Sequence, residues 1–163
     1  MAAATMEPLL ADFLDTMASA CSAVSVVTTE DAGVPHGTTV SAFCSLSVDP
    51  PMILVSLDNN SRLLHHIRSS GRFGLNLLAS DQSDLARRFA SKAEDKFHGV
   101  DRELAADVPR LSGTAGWVSC DLHAELAGGD HTILLGTVVG AACAGRAPLT
   151  YYSRSFGTHA PVG

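Results

Sequence analysis

Short β-branched runs follow one another along this chain with polar turns between them and no regular alternation of helices to separate them. That succession limits the fold more than any other feature. Parallel neighbours need a crossover of a dozen or more residues, whereas antiparallel neighbours need only a tight turn. Ala23-Val24-Ser25-Val26-Val27-Thr28-Thr29 reads as a strand, Glu30-Asp31-Ala32-Gly33 supplies the turn, and His36 to Phe43 returns. Pro50-Pro51 forces an extended entry into Met52–Leu57. Phe73–Leu78 makes a further strand. Trp117–Leu126 and His131–Cys143 make two long ones, joined by Ala127-Gly128-Gly129-Asp130. About six strands, mostly hairpin-connected, predict a mainly β protein built on an antiparallel barrel.

Helices are few in this reading. Leu9, Leu10, Phe13, Leu14 and Met17 recur at helical spacing and predict an amphipathic helix over residues 7–19. Asp58-Asn59-Asn60-Ser61 is a polar turn that offers N-caps to a helix starting at Arg62 and ending near Ser69. Asp81 is the expected cap of a third helix, with Leu85 and Phe89 on one face. Residues 91–112 lack a clear period and are expected to be a loop with a helical turn. The tail from Arg146 carries an aromatic cluster at Tyr151, Tyr152 and Phe156. Neither GxGxxG nor GxxxxGK[ST] occurs, and a dinucleotide-binding βαβ fold is disfavoured.

A chain of 163 residues fits one domain, expected over 1–163 with its core between residues 10 and 157. Hydrophobic residues make up 46% and charged ones 17%, which exceeds what a disordered chain shows and leaves apolar surface for a second copy. Net charge is −6, which argues against nonspecific nucleic-acid binding. Its distribution is uneven. Residues 1–61 contain no Lys or Arg, while residues 62–102 hold eight of the eleven basic residues. That basic middle is either an anion site or the solvated faces of two helices. Four widely spaced cysteines (Cys21, Cys44, Cys120 and Cys143) read as small core residues in a reducing compartment. The start MAAATMEPLL has no basic n-region, and the longest strongly apolar run, Thr132–Gly145, is interrupted by glycines. A cytoplasmic chain without a membrane span is expected.

The stretch from His36 to Pro51 is rich in small hydroxyl residues inside an otherwise apolar strand. Small side chains let a planar ligand approach the backbone, although a Ser/Thr-rich edge strand would look the same. Read in order with later segments, it resembles the short-chain flavin reductases of two-component flavin-dependent monooxygenases, which are FMN-binding split-barrel proteins. The markers begin with Gly37-Thr38-Thr39-Val40-Ser41-Ala42-Phe43, Ser45-Leu46-Ser47-Val48-Asp49-Pro50-Pro51 and Val55-Ser56-Leu57-Asp58-Asn59-Asn60-Ser61. They continue through Phe73-Gly74-Leu75-Asn76-Leu77-Leu78, Leu85-Ala86-Arg87-Arg88-Phe89-Ala90 and Lys96-Phe97. Gly129-Asp130-His131-Thr132 and Pro148-Leu149-Thr150-Tyr151-Tyr152 complete the series. Each alone is weak; the order is specific.

The resemblance implies a six-stranded antiparallel Greek-key split barrel with a few flanking helices. It implies that the Gly37, Thr38, Thr39, Val40, Ser41, Ala42 strand, with Ser45 and Ser47, borders the isoalloxazine. Ser56, Leu57, Asp58, Asn59, Asn60 and Ser61 would meet the ribityl chain and phosphate, with Arg62 adding charge at a helix start. Arg88, Phe89, Ala90 and Lys96 would form the second wall of a phosphate or adenylate pocket, which favours the anion-site reading of the basic block. His131 is carried over as a nicotinamide-positioning residue without a covalent role, against the plainer reading of a turn histidine bonded to Asp130. Tyr151, Tyr152 and Arg154 are expected beside the nicotinamide nucleotide, against core packing for the tyrosines.

The activity implied is NAD(P)H-dependent flavin reduction, with an exchangeable flavin (FAD favoured over FMN), NADH favoured over NADPH, a separate monooxygenase as recipient, and a homodimer. No metal is expected. Cys120 and His123 lie at odd strand spacing and face opposite ways, and His65 and His66 diverge on a helix. No nucleophile motif occurs. Three rivals are a non-enzymatic split-barrel flavin or cofactor binder, a pyridoxamine-phosphate-oxidase-like enzyme, and a pure interaction module. Nicotinamide oxidation in the presence of flavin separates them.

Overall fold

Most of the chain pairs as antiparallel strands in the computed structural model, which describes residues 3–162. Met1, Ala2 and Gly163 of the expected domain lie outside the described residues. Helix α1 (Ala3–Ala18) leads into a two-residue strand β1 (Ser22–Ala23), then β2 (Ser25–Asp31), β3 (Val34–Val40), β4 (Phe43–Val48) and β5 (Pro51–Asp58). Next come α2 (Arg62–Ser70), β6 (Arg72–Leu77) and α3 (Ser83–Ala90). Three hairpins finish the chain: β7 (Arg102–Ala105) with β8 (Val108–Leu111), β9 (Gly116–Gly128) with β10 (His131–Cys143), and β11 (Leu149–Tyr152) with β12 (Ser155–Thr158).

The main sheet runs β3-β2-β6-β9-β10-β5-β4. Its two edge strands are consecutive in sequence, joined by Ser41-Ala42, so the sheet curls until its ends meet. The Ser56 N–H donates to the Ala42 carbonyl at 2.9 Å and carries the ladder into that gap. Because β3 and β4 are two halves of one bent segment, the barrel has the six staves expected. The single strand expected from His36 to Phe43 is corrected here: it breaks at Ser41-Ala42.

Two apolar clusters sit on opposite sides of β2. Val27 faces the barrel interior with Val55, Leu57, Phe73, Leu75 and Leu134, and α2 closes that end with Leu63, Leu64 and Ile67. Val26 faces the other way, to Leu78, Phe89, Phe97, Leu111 and Leu149. Burial on both faces explains why β2 reads as an unbroken β-branched run. Each fully buried Val, Leu or Phe contributes about 1.5–3 kcal/mol over its exposed state. These clusters therefore hold α2 and α3 in place.

Several expectations need correction. Residues 91–112 are not simply loop with a helical turn, since β7 and β8 pair there. Ala106 and Asp107 both take positive φ, 46° and 59°, the geometry of a type I′ turn without its usual Asn or Gly. Ser153-Arg154 turns β11 into β12 in the same way, at 45° and 62°. Asp81 does not cap α3. Gln82 holds that position, and Asp81 pairs with Arg146 at 2.7 Å. Of the cysteines only Cys120 is a core residue; Cys21, Cys44 and Cys143 are exposed. The face of α1 carrying Leu9, Leu10, Phe13, Leu14 and Met17 is more than half exposed at every position. Among the described residues no helix is long and apolar enough to cross a membrane.

Candidate functional site

Strand alternation sends successive side chains of β3 to opposite sides, and a hollow lies on each. The first, of about 460 Å³, is bounded by His36 to Thr38, by Asn60 to Leu63 at the start of α2, and by Ala90 to Phe97 after α3. The second, of about 800 Å³, lies among Thr39, Ser41, Arg87, Tyr151, Arg154 and Phe156. Ala90 borders both. α3 is fastened to β3 by the Thr39 hydroxyl, which donates to the Ala86 carbonyl at 2.7 Å.

The first hollow gathers positive charge. α2 opens into it with Ser61 at the N-cap in extended geometry, no side-chain cap and no acid in the first turn. Its first N–H groups and positive dipole end therefore face the cavity. The Lys96 ammonium donates to the Phe89 carbonyl at 2.8 Å and to the Gly37 carbonyl at 3.3 Å. Burial, then the nearby Arg62 charge, holds Lys96 below the usual lysine value. Neither Lys96 nor Arg62 has a carboxylate partner among the described residues. Gly37 lets the Phe89 and Phe97 rings pack close against β3 beside this hollow: a Cβ there would stand 2.9 Å from Phe89 Cε1 and 3.2 Å from Phe97 Cζ. The donor set fits a phosphorylated planar ligand.

The sequence-derived residues distribute as follows. Gly37, Thr38, Asn60, Ser61, Arg62, Ala90 and Lys96 meet at the first hollow, and Thr39, Ser41, Tyr151 and Arg154 at the second. Val40, Leu57 and Phe89 are buried in the core, so only their backbone is open to a ligand. The Phe89 carbonyl is already used by Lys96, and also accepts from the Thr38 hydroxyl at 3.4 Å. Arg88 is tied to the His98 carbonyl at 2.9 Å. Asp58 Oδ1 accepts from the Asn60 N–H at 2.7 Å, and Asn59 Oδ1 accepts from the Thr132 hydroxyl at 2.7 Å, so both shape the turn before α2. Ala42, Ser45, Ser47, Ser56 and Tyr152 line neither hollow.

His131 also lies outside both hollows. It opens β10 opposite Asp58, at the barrel end that carries the turn before α2. Its Nδ1 stands 2.7 Å from Asp130 Oδ1, and that contact holds the Asp130 carboxyl below its usual range. Lining residues absent from the sequence-derived set include His36, His66, Arg87 and Phe156. His66 follows Arg62 by four on one helix, and Arg87 precedes Ala90 by three on another, so helical spacing from the predicted residues was the available signal.

A split antiparallel barrel with a cation-bearing hollow beside β3 fits a binder of phosphorylated planar cofactors. The chain belongs to the flavin reductase like domain family, whose model matches residues 17–160. It is 36% identical over 157 residues to the reductase component of 4-nitrophenol 4-monooxygenase/4-nitrocatechol 2-monooxygenase from Rhodococcus opacus, covering 96% of this chain and 85% of that protein. It is 40% identical over 126 residues to a probable flavin reductase of Rhizobium meliloti, covering 76% of this chain but only 40% of that longer protein. Among solved structures, the nitrilotriacetate monooxygenase component B homologue from Mycobacterium thermoresistibile superposes with a TM-score of 0.90 at 29% identity, over 97% of this chain and 93% of that one.

Proposed function

We propose that this protein reduces flavin with a nicotinamide nucleotide and releases it to a separate monooxygenase. The observation that carries the reading is the first hollow, where the α2 N-terminus, Arg62 and Lys96 converge beside the Gly37 backbone. The phosphate belongs against those groups, and the ring system lies along β3 towards Thr39 and Ser41. The nicotinamide nucleotide occupies the second hollow, beside Tyr151 and Arg154. Once both cofactors are bound, they supply the hydride chemistry, from nicotinamide C4 to flavin N5. The chain's own part is positioning: the β3 backbone and α3 hold one face, and Tyr151 and Phe156 wall the other hollow and exclude water.

FAD is the favoured flavin, as the resemblance to the reductases implies. NADH is favoured because both arginines of the second hollow already face carboxylates, Arg87 to Asp84 at 3.0 Å and Arg154 to Asp15 at 3.2 Å. A 2′-phosphate would have to compete with them. The flavin exchanges, consistent with hollows that open to solvent. The uncovered apolar face of α1 supports a homodimer, and four free thiols fit a cytoplasmic location.

Steady-state oxidation of NADH or NADPH with FAD or FMN, in all four pairings, tests the reading. NADH with FAD is expected to turn over fastest, and no turnover with any pair would end the proposal.

A further inference from the structure

The wall of the first hollow holds two histidines that the flavin reading leaves without a task. His36 on β3 stacks on His66 of α2, with ring centroids 3.5 Å apart and planes 10° from parallel. Both border the cavity that Arg62 and Lys96 also border. Behind them, Asp31 on β2 places Oδ2 at 2.9 Å from His66 Nδ1, and its Oδ1 accepts from the Ser69 hydroxyl at 2.9 Å. An ionised Asp31 makes Nδ1 of His66 the protonated nitrogen and fixes that ring. His36 has no hydrogen-bond partner among the described residues, so its ring nitrogens are open to a ligand.

Charge in this corner is finely set. Asp31 stands on β2, Arg62, His65 and His66 on α2, and Lys92, Glu94 and Lys96 on the segment after α3. Two imidazolium rings stacked this closely repel. Burial first, then His66, hold His36 below the usual histidine value; Asp31 opposes them and Arg62 adds to them. The neutral form of His36 is thereby favoured. A phosphate arriving between Arg62 and Lys96 reverses the local field, and a protonated His36 then becomes a charge-assisted donor.

We propose that His36 is a further phosphate-binding residue, donating to the phosphate of the flavin and taking up one solvent proton as that group binds, with His66 as the positioning residue that holds its ring. The inference rests on the flavin reading of the first hollow. Its sign follows directly. Binding raises the affinity of His36 for its proton, so flavin affinity is greatest at low pH and falls as pH rises through the bound-state value.

Calorimetric titration of the full chain with FAD and with riboflavin tests this, at about pH 6 and about pH 8. FAD carries a pyrophosphate that does not titrate in this range, and riboflavin carries no phosphate. FAD is expected to bind about tenfold tighter at the lower pH, the worth of a one-unit shift. Its enthalpy should vary with the ionisation heat of the buffer as proton uptake requires. Riboflavin should show neither effect. His36→Asn should abolish the pH dependence of FAD binding. His66→Phe keeps the stack but removes the neighbouring charge, and should move the transition to higher pH. Binding of FAD that is pH-independent and buffer-independent, or a dependence retained in His36→Asn, overturns the inference while leaving the flavin reading intact. Failure of both flavins to bind at either pH overturns the reading itself and this inference with it. Should His36→Asn not fold, the buffer dependence of the unsubstituted protein decides.

Discussion

The Lys96 ammonium reaches across from the segment after α3 to donate to the Phe89 carbonyl at 2.8 Å. That bond closes a loop of seven residues onto the last turn of α3. It satisfies a carbonyl that a helix C-terminus leaves without an intrahelical partner, and it aims a cation at the first hollow. A structural tie and a proposed ligand contact thus meet in one side chain.

Lys96→Met should separate the two. The substitution keeps most of the apolar stem but removes the charge. We expect affinity for FAD to fall about tenfold, equivalent to about 1.4 kcal/mol, and affinity for riboflavin to change less than twofold. Because burial holds the Lys96 pKa down, the unsubstituted protein should lose FAD affinity on alkaline titration earlier than an exposed lysine would dictate. Fluorescence quenching of each flavin measures both. Equal losses for the two flavins would remove the phosphate role.

Gly37→Ala tests the packing of Phe89 and Phe97 against β3 beside the same hollow. The added methyl would meet the Phe89 ring at 2.9 Å and the Phe97 ring at 3.2 Å. Those rings already pack edge to face, with centroids 4.9 Å apart, and Phe89 is fully buried. Overpacking of this kind costs about 1–3 kcal/mol. For a domain of this size that corresponds to a fall in melting temperature of about 2–4 °C per kcal/mol. A calorimetric scan checks it. An unchanged midpoint would show that the rings move aside at no cost.

The legible parts of this fold were those in which local chemistry and tertiary placement agree. β2 and β5 announced themselves through β-branched residues and Pro50-Pro51, and α2 through the polar turn Asp58-Asn59-Asn60-Ser61 before it. The β7–β8 hairpin was invisible because Ala106-Asp107 adopts a turn normally signalled by Asn-Gly. The break between β3 and β4 carries no glycine or proline, and barrel closure, not local propensity, bends the chain there. In the site, the basic residues at Arg62 and Lys96 were legible as charge. The His36–His66 stack was not, because it joins residues thirty apart on a strand and a helix, and no spacing rule links them.

Thiol reactivity should reflect the correction to the cysteines. Cys120 is buried between β6 and β10, and burial pushes its thiol up to about 12. The reactive species is the thiolate, so Cys120 should be inert in the folded protein. Cys21, Cys44 and Cys143 are exposed. Titration with an aromatic disulfide reagent should count three thiols in the native protein and four after denaturation. Four in the native state would mean that the barrel opens readily. Fewer than three would mean that an exposed cysteine is covered by another subunit.

His131 provides the sharpest test of the nicotinamide assignment, because the geometry leaves it outside both hollows. Its Nδ1 is held by Asp130 at 2.7 Å, which fixes the tautomer and leaves Nε2 for a ligand at the barrel end near Asn59. A residue that positions the nicotinamide should act on the second substrate and spare the first. The nicotinamide role that the resemblance implies for His131 requires His131→Ala to raise KM for NADH about tenfold, about 1.4 kcal/mol of lost binding, while the Kd for flavin changes less than threefold. Asp130→Asn should move KM the same way by a smaller factor, since the ring stays but is less well held. If His131→Ala instead weakens flavin and leaves KM for NADH alone, His131 serves the turn before α2 through Asn59 and Thr132. Unchanged kinetics in both variants would return it to an ordinary turn histidine.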